Sequence, residues 1–472
     1  MRMLICAGVA LVGSLAGAAT VDSVTLLQTR GVDTKVTISY ELSDVEGPQD
    51  ITVRLTREGE PVAIPEPAWK WLTGEIYGVK GEGTHTITLD PSFFPDEYVA
   101  GLRAEVTCAP QSAVSAEVLY RIFDLAETNV TDVTRGDFFN GSYGAFETNY
   151  SAIASDFVST EPNQLIWTGV TNDIAYKTTK LVMRRIPAGS YRIRASTVSA
   201  TPYETSVTFA GETYMAVFET TRAQVKAIGY TPYEYAEGTD PLPANLLGMG
   251  PIYISNSSTG TAYQNRSAID PATTKDSDTA ILKRLQYMFK AKGWTIPFDI
   301  PTEAQWQRAF YAGATSVFYD GATTSATTTF AQRLGRLLGN VEYIDNGDGT
   351  VTTNNLAVVG SYLPNAWGLY DMLGNVREWT CDIFASAKGD LDKVAAGGEN
   401  LTGWRTSDSG LSYGRTGALG ADYSTEKASK YFVAGFDANS AATEQSKNAG
   451  YVTVGFRLSY YVAPAVDTTS EE

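Results

Sequence analysis

The chain has a single histidine, His85, and three cysteines, Cys6, Cys108 and Cys381, in 472 residues. That scarcity removes whole classes of chemistry. One imidazole cannot supply a three-histidine metal centre, and Cys381 has no histidine in its own half of the chain to act as a base. Two cysteines beyond the N-terminal leader are too few for a disulfide framework. In an oxidising compartment Cys108 and Cys381 either pair or remain two separate thiols. Positive charge is short too. Against 53 Asp and Glu there are 36 Lys and Arg, a formal net charge of −17, which argues against any polyanionic partner and so against nucleic acid. Nor does any stretch reach the roughly 20 apolar residues that a bilayer-spanning helix needs, so no transmembrane helix is expected.

What the chain does hold is 43% hydrophobic and 19% charged residues, with 43 glycines and 27 tyrosines. That is the composition of a globular, loop-rich, aromatic protein, long enough for at least two cores. Residues 1–19 open with Arg2, continue through an apolar centre and end in Ala16-Gly17-Ala18. This order of charge, apolar run and small residues predicts a signal peptide cut after Ala18, and hence a secreted, periplasmic or cell-surface protein.

Residues 20–120 carry short alternating or β-branched segments at 24–28, 35–40, 51–55, 85–89 and 102–108, separated by turn residues. They predict a β-sandwich like the immunoglobulin or fibronectin type III domains. Trp69 and Trp71 fit either its core or a carbohydrate site. Residues 121–179 are rich in Thr, Asn, Ser and Asp and less periodic. They read as a connecting segment with a few strands, yet Phe138, Phe139, Phe146, Phe157 and Trp167 make it too apolar for a free linker, so it is expected to pack onto a neighbour. From 180 onward the signals sharpen. Thr221 with Gln224 and Thr302 with Gln305 form capping boxes, with Gly229 and Gly313 as helix stops. Between them Ser277 can cap a helix whose apolar face is Ile281, Leu285, Met288 and Phe289, and Trp306, Ala309 and Phe310 mark the buried face of the last helix. Residues 462–472 form an acidic tail.

Residues 365–382 read Asn-Ala-Trp-Gly-Leu-Tyr-Asp-Met-Leu-Gly-Asn-Val-Arg-Glu-Trp-Thr-Cys-Asp. No helical or strand period fits them. A run this apolar predicts a buried irregular loop whose backbone groups need partners, and its carboxylates Asp371, Glu378 and Asp382 predict a cation among those partners. This motif resembles the signature of the formylglycine-generating enzyme, or sulfatase-modifying factor, family. Similar matches are Leu-Val-Met-Arg-Arg-Ile-Pro-Ala-Gly-Ser-Tyr at 181–191, Tyr-Met-Ala-Val-Phe-Glu-Thr-Thr-Arg-Ala-Gln at 214–224, Ile-Pro-Thr-Glu-Ala-Gln-Trp at 300–306, and Gly-Phe-Arg at 455–457. The resemblance covers 180–461 and implies a fold related to the C-type lectins. The whole chain then reads as α+β, an N-terminal sandwich followed by this loop-rich domain.

The resemblance also implies a site. In the family, positions matching Asp371 and Glu378 by side chain and Gly374 and Val376 by carbonyl bind a structural calcium, a spacing that lets oxygens surround one hard cation. The alternative is Glu378 paired with an Arg and Asp371 capping a turn. A second calcium site near Asn340 and Val341, completed by Asp345 or Asp348, competes with plain hairpin chemistry in the Asn-Gly and Asp-Gly pairs that follow. Oxidase members need a copper-binding cysteine pair after the Gly397-Gly398 turn, but residues 397–420 hold no cysteine and Gly455-Phe456-Arg457 is followed by Leu458. Iron-dependent relatives need histidines that this domain lacks. No copper or iron is therefore expected. The expected function is non-catalytic binding or structure, with a formylglycine-type oxidase and a lectin-like or diversified receptor as alternatives. A protein or glycan ligand would meet Trp404, Tyr413, Tyr423, Tyr431 and Phe432, aromatics set among small polar residues, unless those rings are core.

Overall fold

The computed structural model describes residues 19–29, 35–62, 64, 71–90, 99–148, 150–154, 165–195, 203–230, 241–245, 252, 280–314, 319–320, 333–337, 342–345, 347–348, 350–354, 356–383, 416–419 and 454–463. The chain folds into two compact units, Met1–Leu119 with Asp132–Ala145, and Tyr120–Thr131 with Phe146–Glu472.

In the first unit, strands β1 (Thr20–Thr29), β2 (Lys35–Ser43), β3 (Gln49–Arg57), β4 (Glu60–Val62), β5 (Leu72–Gly74), β6 (Gly83–Leu89) and β7 (Leu102–Pro110) form two sheets. One has the order β1-β2-β6-β5 and the other β4-β3-β7. Their alternation is what the sequence requires: Val36, Ile38, Tyr40 and Leu42 turn inward from β2, and Ile87 and Leu89 from β6. These join Ile51, Leu55, Leu102 and Val106 of the other sheet in one apolar cluster. Trp71 packs against that cluster, half-buried, while Trp69 lies outside the described residues. His85 is buried, its Nδ1 2.9 Å from Glu75 Oε1 and its Nε2 3.2 Å from the Gly81 carbonyl. Cys108 is free, its thiol donating to the Ala19 carbonyl at 2.7 Å. Helix α1 (Arg135–Phe139) completes the unit, capped by Thr134 and Asp137.

The second unit is built on a five-stranded sheet. Strands β8 (Val118–Asp124) and β9 (Val130–Thr134) join β10 (Lys180–Ile186), β13 (Glu212–Ala216) and β19 (Ser459–Val462) in the order β19-β13-β10-β8-β9. The segment expected as a connector with a few strands thus supplies β9 and the second half of the interior strand β8. Leu119, Tyr120, Ile122 and Phe123 are buried on both faces of β8, a pattern with no period of two to betray it in sequence. Strands β11 (Gly189–Ala195) and β12 (Tyr203–Phe209) form a hairpin, as do β14 (Glu342–Asp345) and β15 (Val351–Asn354). A last sheet sets β16 (Arg377–Ile383) between β17 (Thr416–Leu419) and β18 (Val454–Gly455), with β16 and β18 parallel.

Among the described residues, the helices that pack on this frame include α2 (Ala175–Thr178), α3 (Arg222–Ala227), α4 (Ile281–Lys290) and α5 (Glu303–Tyr311). Both expected capping boxes form, Thr221 with Gln224 on α3 and Thr302 with Gln305 on α5. Gly229 adopts φ 92° after α3, and at the end of α5 Ala312 takes φ 45° ahead of Gly313. Helix α4 starts differently from the sequence expectation. Its N-cap is Ala280, with no side-chain bond, and Ser277 lies outside the described residues. Its expected face holds, with Ile281, Leu285 and Phe289 fully buried and Met288 packed against them. No helix among the described residues is long and apolar enough to cross a membrane.

Candidate functional site

The loop at 365–376 has no repeating backbone pattern, so its polar groups are satisfied one at a time. Asn365 is fully buried. Its amide nitrogen donates to the Ala309 carbonyl at 2.6 Å and its side-chain oxygen accepts from the Trp367 and Leu369 N–H groups at 3.0 and 3.1 Å. That ties the loop to α5. Asn375 makes a second knot: its oxygen accepts from Ala357 N–H at 2.9 Å, and its nitrogen donates to Glu219 Oε2 at 2.7 Å. Asp371 and Asn375 occupy the left-handed region at φ 55° and 61°, which short polar side chains tolerate best after glycine. Gly374, at φ 84°, passes so close to Arg336 that a Cβ would stand 2.5 Å from its carbonyl oxygen. No other residue fits there.

Four ionisable groups meet behind the loop, all exposed by 1% or less: Glu219, Asp371, Glu378 and Arg457. Glu378, at the start of β16, forms a buried ion pair with Arg457 at 2.8 Å and accepts from the Trp306 indole N–H at 2.8 Å. Glu219 accepts from the Val376 N–H at 3.2 Å as well as from Asn375. Burial, reinforced by the charges of Asp371 and Glu378, pushes its carboxyl well above the ordinary range. Asp371 Oδ2 accepts from Gly360 N–H at 2.5 Å, while Oδ1 is buried with no hydrogen-bond partner. Burial raises Asp371 to about 6, against the opposing pull of the Gly360 bond, Arg457 and Lys177. Burial tends to lower Arg457, but Glu378 beside it holds it above its ordinary value. Lys177, nearly buried, has its ammonium 5.5 Å from the centre of the Phe218 ring and is lowered by burial, with Asp371 opposing.

The structure therefore brings Asp371, Gly374, Val376 and Glu378 into one loop, but the Glu378 carboxylate that the expected calcium site needs is already occupied. Both Glu378 oxygens are taken by Arg457 and Trp306. Of the two side chains in the expected set, only Asp371 keeps an open oxygen. Among the described residues no group of three His, Cys, Asp or Glu is placed to hold a metal ion. Asn340 and Val341 lie outside the described residues, as do Trp404, Tyr413, Tyr423, Tyr431, Phe432 and the side chain of Cys381. In the hairpin that follows 341, Asp348 accepts from Thr350 N–H and hydroxyl at 2.9 and 2.5 Å, a turn-closing role. The side chain of Asp382 is likewise not described.

Sequence reasoning missed Glu219 as a member of this cluster and left the arginine partner of Glu378 without a number. The signals were present. A glutamate in the run Val217-Phe218-Glu219 and an arginine between Phe456 and Leu458 are charges inside apolar stretches, and such charges need partners.

A strand-rich domain with few helices, closed around an irregular loop by a buried Arg–Glu pair, defines the class. Residues 173–459 match the sulfatase-modifying factor enzyme 1-like domain, and the chain belongs to that family. No curated protein matches the chain. Solved structures similar to it include PvdO from Pseudomonas aeruginosa, 18% identical over 60% of this chain and 94% of that one, with a TM-score of 0.37. Treponema denticola variable protein 1 is 16% identical over 60% and 96%, with a TM-score of 0.35. CarF is 18% identical over 58% and 99%, with a TM-score of 0.28.

Proposed function

We propose that this is an exported, non-catalytic binding or structural protein, in which a sandwich of the immunoglobulin or fibronectin type III kind precedes a sulfatase-modifying-factor-like domain whose loop-rich surface meets a protein or glycan. One observation carries the reading: the carboxylates of the central loop are buried and committed to holding it. Glu378 is occupied by Arg457 and Trp306, and Glu219 by Asn375 and Val376. Asp371 keeps an open oxygen but is only 1% exposed. None of the three is presented to a substrate, which acid–base work would require. Support comes also from Leu458, buried in the apolar cluster that includes Phe456 and Tyr460, at a position next to the Gly-Phe-Arg motif where a thiol would be needed for copper-dependent chemistry.

The test is turnover. The full chain, loaded with copper(I), is incubated with a cysteine-containing sulfatase peptide, and the peptide is weighed by mass spectrometry. No formylglycine product is expected. Conversion that disappears when copper is withheld would establish the oxidase alternative instead. A glycan and protein array probed with the same preparation distinguishes a receptor, which gives saturable binding, from a purely structural module, which gives none.

A further inference from the structure

Arg457 is fully buried, and every one of its donors points at oxygen. Nε donates to both oxygens of Glu378 at 3.1 Å. Nη1 donates to the carbonyls of Ala216 and Val217, each at 2.9 Å. Nη2 donates to the Tyr370 carbonyl and to Glu378 Oε1, both at 2.8 Å. A guanidinium has five N–H bonds, so none is left over, and with the Trp306 indole on Oε2 the lone pairs of Glu378 are filled as well. Around this one cation stand two carboxylate and three carbonyl oxygens. That is an all-oxygen shell, the donor chemistry that a hard divalent ion such as calcium takes.

We propose that Arg457 is a cation built into the chain in place of a metal: its guanidinium fills an oxygen-lined seat formed by Glu378 and the carbonyls of Ala216, Val217 and Tyr370, keeps divalent ions out of it, and when withdrawn leaves a calcium site. The geometry accounts for both halves. With Arg457 present no oxygen of Glu378 is free to ligate. With it removed, Glu378 is a buried carboxylate without a counterion, a strongly destabilising arrangement that either a proton or another cation relieves. The oxygens stand 2.8–3.1 Å from the guanidinium nitrogens, farther than the roughly 2.3–2.6 Å of a calcium bond, so an ion in the vacated seat would reach some of them through water. Asp371, whose Oδ1 has no partner, adds a second negative charge to the same buried cluster.

The experiment follows thermal unfolding and terbium luminescence, excited through tryptophan, in the full-length protein and two variants. Terbium stands in for calcium, and Trp306, bonded to Glu378, is placed to sensitise it. For the native chain, millimolar calcium and a chelator leave the melting temperature unchanged, and no terbium emission develops beyond that of the Arg457→Met/Glu378→Leu control. Arg457→Ala melts about 10 °C lower in chelator, recovers progressively as calcium is added, and binds terbium saturably. Arg457→Met/Glu378→Leu, which removes both charges together, folds and shows neither response. The proposal is overturned if native stability rises with calcium, if Arg457→Ala melts like the parent, or if calcium fails to recover a folded Arg457→Ala protein while the double variant folds.

Discussion

Asn365 replaces with one side chain the bonds that a regular element would supply to four backbone groups, those of Ala309, Phe310, Trp367 and Leu369. Leucine would fill its volume and satisfy none of them. Asn365→Leu is therefore expected to destabilise the second unit by about 3 kcal/mol, the penalty of leaving buried backbone groups unpaired, read as a lower urea midpoint at unchanged slope. Asp371 makes a different demand. Its carboxyl is raised from 3.8 to about 6, so the folded chain holds that proton more tightly than the unfolded chain does. The penalty is absent below the unfolded value and grows as pH rises from about 4 to about 6. Stability should fall across that window, on the order of 2 kcal/mol from this group, and the raised carboxyl of Glu219 acts with the same sign. Asp371→Asn keeps an oxygen for the Gly360 N–H and tolerates the left-handed backbone, so its urea midpoints, measured from about pH 4 to about pH 7, should show a flatter slope than those of the parent.

Elements differ in how openly their sequence declares them. The capping boxes of α3 and α5 are local, three residues apart, and could be read directly; so could the alternation of β2, β6 and β7. Thr302→Ala should cost about 1 kcal/mol, the ordinary worth of a cap. Thr221→Ala should cost more, because its hydroxyl also donates to the Lys177 carbonyl at 2.7 Å in a fully buried setting. Comparing the two variants by thermal unfolding checks the difference. Strand β8 was hidden because its apolar residues fall in pairs, and the start of α4 because Ala280 caps it with no side-chain bond. The carboxylate cluster was half legible. Asp371 and Glu378 stand seven residues apart and draw the eye together. Glu219 and Arg457 reach the same place from strands and loops far away in sequence, and only the pairing of β13 with β10 and β19 brings them in.

At the scale of the molecule, the predicted leader has a clean readout. Mass spectrometry of protein recovered from its source cells should find Ala19 as the first residue; an intact Met1 would refute export by this route. Ala19 is itself buried, its N–H 3.3 Å from the side-chain oxygen of Gln49. At the other end, β18 lies parallel to β16, and β19 covers β13. Both strands, with Arg457 between them, come later in the sequence than the strands they complete. A nascent polypeptide that has not yet emitted residue 454 has β13 without its outer neighbour and Glu378 without its guanidinium. Without residues 454–462 the second unit lacks both the outer strand of its main sheet and the counter-charge of Glu378, so Glu378 must stay in water or take up a proton. A variant truncated before residue 454 should therefore be cut by protease faster than the parent, because it lacks at once an outer strand and the partner of a buried carboxylate.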